Sequence, residues 1–136
     1  MTTGYSGTPL IKKLGFKAGM RVWLDAAMPA PIKAEIDPEA NGVSVLSSPV
    51  QGIDAAHIFV IERAQLTDAI ATIRPLLASN GFLWVSWPKK ASNVATDVTE
   101  DVIRDCALPT GFVDVKVSAV DTTWSGLKLM IRRELR

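Results

Sequence analysis

The feature that most constrains this chain is a succession in its middle. The apolar run His57-Ile58-Phe59-Val60-Ile61 is followed by Leu66, Ile70, Ile73 and Leu77 at helical spacing, and then by Phe82-Leu83-Trp84-Val85-Ser86-Trp87. A short unbroken apolar run suits a strand covered on both faces, and the spacing between the two runs suits a helix lying against them. Strand, helix, strand in that order describes a crossover unit joining parallel strands, right-handed in nearly all proteins.

The flanking sequence extends this pattern. Thr8 and Pro9 form an N-cap and first helical position for a short helix carrying Leu10, Ile11 and Leu14, which Gly15 stops. Val22-Trp23-Leu24 reads as the first strand, and GVSVLSS as the second. Between them, residues 29–41 hold at most a short helix, fenced by Pro29, Pro31 and Pro38. The central helix is expected over 64–79, bent at Pro75 and ended by Asn80-Gly81. Another is expected near 98–108, capped by Asp97 or Thr99, with Val102, Ile103 and Cys106 facing inward. VDVKVSAVD and LKLMIRR alternate apolar and polar, which predicts a half-exposed hairpin joined across TTWSG. The expected α/β sheet is mostly parallel, ordered 2-1-3-4-6-5, with the sixth strand reversed. A chain of 136 residues suits one domain, 1–136.

Apolar residues make up 48% and charged ones 21%, an ordinary globular balance that argues against disorder. A net charge of +1 provides no field for nucleic acid or an acidic membrane, so any anion site is local. One cysteine, Cys106, and one histidine, His57, make neither an internal disulfide nor a structural zinc site, and no metal is expected. The N-terminus lacks a secretory pattern, and no segment approaches the ~18 apolar residues of a membrane span. The chain is therefore expected to be soluble and cytoplasmic.

In such a sheet, ligands bind outside the carboxyl ends of the strands where their order reverses. That edge would carry Asp25 and Ala26, then Glu62 and Arg63, then Trp87 to Lys90. A dinucleotide or adenosyl cofactor ordinarily needs glycines after the first strand, yet none stands between Gly19 and Gly42. The second strand ends in Ser47-Ser48 where an acid would hold the ribose. No G-x-S-x-G elbow exists, and His57, placed early in its strand and away from the cleft, reads as a core or rim histidine bonded to backbone. Cys106 reads as a small buried hydrophobe, and the acids among residues 97–101 as a dipole-favoured first helical turn.

Two aromatic and basic groups remain. Trp84 belongs to the core, whereas Trp87, at the end of its strand, would lie half out beside Lys89 and Lys90. Trp124, with Lys128 close behind, repeats the mixture. A ring flanked by ammonium groups suits an aromatic or anionic ligand, although packing tryptophans with solvated lysines give the same pattern. The loop Gly4-Tyr5-Ser6-Gly7 before the first helix has the hydroxyls and glycines of an anion cradle, but a capped turn explains it too.

GYSGTPLIKKLGFKAGMRV, GFLWVSWPKK, TEDVIRD and GFVDVKVSAVDTTWSGLKLMIRR together resemble a bacterial family of domains of unknown function, over nearly the whole chain. The resemblance implies a three-layer Rossmann-like domain distantly similar to S-adenosylmethionine-dependent methyltransferases. It brings no catalytic residues with it, and the missing glycine-rich turn departs from the methyltransferase pattern. The expectation is a binding or regulatory module with no adenosyl cofactor. Its ligand edge is Trp87, Lys89 and Lys90, with Trp124, Tyr5 and Ser6 as neighbours. Its partner is a small anionic or aromatic ligand or another protein, with neither nucleic acid nor membrane expected. The alternative is a divergent methyltransferase using Asp25, Glu62 or Arg63. A weak homodimer through the exposed face of the final hairpin is a third expectation.

Overall fold

The crossover unit that dominates the sequence forms the centre of the sheet. In the computed structural model, which describes residues 7–136, six strands make one mixed sheet ordered β2-β1-β3-β4-β6-β5. They are β1 (Arg21–Leu24), β2 (Ser44–Leu46), β3 (Ile53–Phe59), β4 (Leu77–Pro88), β5 (Phe112–Ala119) and β6 (Trp124–Ile131). β1 runs parallel to β2 and β3, and β3 parallel to β4, while β6 lies antiparallel between β4 and β5. The strand order and the reversed sixth strand are those expected from sequence.

Helices cover both faces. On one, α1 (Leu10–Leu14) and α2 (Ala30–Ile36) bring Leu10, Leu14, Ile32 and Ile36 against Val22, Phe59, Phe82 and Trp84. On the other, α3 (Arg63–Ile73) and α4 (Glu100–Ala107) pack Leu66, Ile70, Ile73 and Ile103 against Ile58, Leu83, Val85 and Leu127. The period-two side-chain alternation along β4 thus supplies both cores from one strand.

Several boundaries differ from expectation. Pro75 does not bend a longer helix, because α3 stops at Ile73 and Leu77 already pairs with Ile53 in the sheet. A proline has no N–H to continue the ladder and clashes with the preceding turn. Asn80-Gly81 consequently lies within β4, where the register slips between Ile53 and Ala55 and residues 78–81 bulge out. A Cβ on Gly81 would lie 2.9 Å from Ala78 O, so the bulge needs glycine. β3 starts at Ile53, four residues before the expected run. α1 starts at Leu10 with Pro9 in the cap position, one residue later than expected, and ends as expected at Gly15, φ 77°. Thr99 rather than Asp97 caps α4, its Oγ1 accepting from Val102 N at 3.2 Å. Among the described residues, no helix is long and apolar enough to cross a membrane.

Candidate functional site

At the carboxyl end of β4, Trp87, Pro88, Lys89 and Lys90 line a cavity of about 470 Å³ together with the loop that leads into α4. That volume lies within the range of small-ligand sites. Trp87 is less exposed than its position suggested: at 8% it belongs to the core under α3 and α4, and forms the floor of the cavity rather than a free plate. The backbone beyond it is held firmly. Lys89 N donates to Thr123 O at 2.9 Å, and Ser92 Oγ donates to Lys89 O at 2.6 Å. Asn93 closes the turn in the left-handed region at φ 60°, a conformation asparagine tolerates better than most residues.

Further along the loop, Thr96 Oγ1 donates to Ile61 O at 2.6 Å, and Asp97 Oδ1 accepts from Arg63 N at 2.7 Å. These bonds tie the wall of the cavity to the start of α3. Glu100, at the rim, turns its carboxylate to Arg104. Among the described residues, Lys89 and Lys90 enter no ion pair, so the charge of the rim is positive. Asn93, Val94 and Thr96 line the cavity although sequence reasoning treated their segment as a plain polar loop. Their signal was the Ser, Asn and Thr content that bonds locally to backbone.

Trp124 does not join this site. It pairs with Pro88 across the strands, and its ring meets Phe59 edge-on at 5.0 Å, on the α1 and α2 side. The sheet therefore separates the two tryptophans. Tyr5 and Ser6 lie outside the described residues.

The strand-order reversal falls between β1 and β3, where a cofactor would be expected. Here Asp25 braces the two strands. Its Oδ2 accepts from Phe59 N at 3.0 Å, its Oδ1 from Ala27 N at 3.1 Å, and its own N–H donates to His57 O at 3.0 Å. The helix that follows offers little to an anion: Pro31 has no N–H, and those of Ile32 and Lys33 are turned to Pro29 O. Two cavities flank the brace. One of about 240 Å³ touches Trp23, Asp25, Phe59 and Gln65, and one of about 450 Å³ touches Asp25, Met28, Lys33, Glu39 and Ser47. Only the second reaches ligand size. The residues present thus do not fit the usual cradle of an adenosyl cofactor. Beside it, Glu62 caps α3, with Gln65 Oε1 accepting from Glu62 N at 3.1 Å in a reciprocal capping box, and the backbone N–H of Arg63 serves Asp97.

His57 stands near the carboxyl end of β3 rather than early in it, because the strand begins at Ile53. It is fully buried and bonds a side chain, not backbone, with Nε2 2.7 Å from Ser86 Oγ. Its Nδ1 has no hydrogen-bond partner among the described residues. With neither group reaching the surface, this pair is core and not a nucleophile with its base.

Comparison with solved structures places the fold among methyltransferases. A S-adenosylmethionine-dependent methyltransferase from Aquifex aeolicus is similar over 90% of this chain and 87% of its own, with 15% identity and a TM-score of 0.59. The magnesium protoporphyrin IX methyltransferase ChlM from Synechocystis PCC 6803, solved with its cofactor bound, is similar over 88% of this chain and 73% of its own, at 13% identity and a TM-score of 0.57. LepI in complex with S-adenosylmethionine matches 92% of this chain at 11% identity and a TM-score of 0.61, but this chain spans only 47% of LepI. At such identities the likeness is one of fold. No curated protein matches the sequence. The family described as "Protein of unknown function (DUF3052)" matches residues 12–133, nearly the whole chain, and it is to this family that the protein belongs.

Proposed function

We propose that this protein is a ligand-binding module on a methyltransferase-like fold, one that works without an adenosyl cofactor. Its ligand is small, anionic and ring-bearing, and enters the pocket of Trp87, Lys89 and Lys90. The observation that carries this reading is the Asp25 brace, which spends on backbone the carboxylate standing where a glycine-rich turn would approach a cofactor. The pocket at the end of β4 supports the ligand class, since an apolar floor with unpaired ammonium groups at its rim suits a flat apolar body carrying a negative charge.

Thermal unfolding with added ligands tests it. S-adenosylmethionine and S-adenosylhomocysteine leave Tm unmoved, whereas an aromatic carboxylate raises it saturably and changes tryptophan fluorescence, and Lys90→Ala weakens that response. A saturable rise with S-adenosylmethionine overturns the proposal. The second reading, a divergent methyltransferase, is favoured by the cavity of about 450 Å³ beyond β1 and β2. It expects that same rise, and its loss on filling the cavity with Ser47→Trp.

A further inference from the structure

The face covered by α1 carries a group of charges that the pocket at Trp87 leaves unused. Lys116 of β5 and Lys128 of β6 stand directly opposite one another, an arrangement that destabilises a sheet when the charges are alike. Lys17, just beyond α1, adds a third. Burial first, and then the charges of Lys116 and Lys17, lower the Lys128 ammonium from the ordinary lysine value. That ammonium is not extended into solvent: it lies 4.2 Å from the centre of the Phe82 ring, and 3.6 Å from where a Cβ on Gly15 would stand.

Part of this charge is answered locally. Lys116 Nζ donates to Lys13 O at 3.3 Å, at the carboxyl end of α1, where a cation is favoured. The Phe82 ring offers Lys128 a further partial compensation. Neither supplies a carboxylate. None of the ion pairs among the described residues includes Lys17, Lys116 or Lys128. Residues 1–24 include no Asp or Glu. Next to the group, Ile11, Gly15, Phe16, Lys17 and Ala18 help to line a cavity of about 510 Å³. Lys17 belongs to both the cavity and the charge group, and Gly15 joins them by lining the cavity beside the Lys128 ammonium.

We propose that Lys17, Lys116 and Lys128 hold the phosphate of a small phosphomonoester whose body lies in the adjoining cavity over Ile11 and Phe16. Ammonium groups bind phosphate as point charges, and one compact dianion answers several of them together. A nucleic acid would need a longer positive track than a chain of net charge +1 displays. The site is separated by the sheet from the pocket at Trp87, and it stands or falls independently of the function proposed there.

The test is titration of inorganic phosphate and glycerol 3-phosphate at low ionic strength, by thermal unfolding and calorimetry. Sodium chloride at matched ionic strength, and vesicles of phosphatidylcholine with phosphatidic acid, serve as separate arms. The wild type responds saturably to the soluble phosphates. Lys128→Gln and Lys116→Gln, each verified as folded by far-UV circular dichroism, bind at least about tenfold more weakly. An equal response to chloride, unchanged phosphate affinity in both variants, no response to either soluble phosphate, or binding to the vesicles alone overturns the proposal.

Discussion

His57 is the only imidazole in the chain, and it is fully buried between Phe59, Phe16 and Trp84, its ring bonded among the described residues to Ser86 Oγ alone. Burial pushes its pKa down from 6.5 to about 3. The folded protein therefore keeps His57 neutral over a range in which the unfolded chain protonates it. The stability it contributes is complete above pH 6.5 and is lost progressively as pH falls toward 3. At about 1.4 kcal/mol per pH unit, unfolding at pH 4.5 is easier than at neutrality by roughly 2–3 kcal/mol from this residue alone. Denaturant melts across that range check it, and His57→Gln removes about one proton from the slope. The neighbouring Trp84 was legible as core. What sequence did not reveal is how its ring is seated: its Nε1 donates to Leu14 O at 2.7 Å, and a Cβ on Gly126 would come within 3.0 Å of the ring. Those partners lie 70 and 42 positions away in the chain.

Among the elements, the start of α4 was readable to within two residues, since Asp97 and Thr99 are both good caps. The tertiary structure divides the work between them, because Asp97 is drawn to the first N–H of α3. Thr99→Ala is accordingly expected to cost about 1 kcal/mol of unfolding free energy, measured by chemical denaturation. α4 is further joined to β5 by Arg104, which bonds Asp114 Oδ2 at 3.0 Å as well as Glu100 and Asp101. The hydrogen bond from Arg104 holds the Asp114 carboxyl below its ordinary value. The end of α3 shows the opposite case. Leu77 continues the helical spacing of Leu66, Ile70 and Ile73, so periodicity carries the expected helix past Pro75, although a proline removes the hydrogen bond needed there. β3, pairing through Ile53, draws Leu77 into the sheet instead. A local period cannot register a partner supplied by another strand.

For the whole molecule, β4 contributes side chains to the cores on both sides of the sheet, Trp84 to one and Trp87 to the other. Unfolding one layer strips cover from the strand that also anchors the second. We expect one cooperative transition, with tryptophan fluorescence and far-UV circular dichroism tracing coincident denaturation curves; separated midpoints would show two independent units. The sequence by itself determined the alternation of strands and helices, their order in the sheet and the lack of a glycine-rich turn after β1. These follow from periodicity, chirality and the stiffness of proline, all of which act between near neighbours. Only the tertiary structure decided that Asp25 braces β1 to β3, that Trp87 and Trp124 face opposite sides, and that Lys17, Lys116 and Lys128 converge beside α1. Each depends on register between strands far apart in the chain, and a shift of one residue moves every side chain of a strand to the other face.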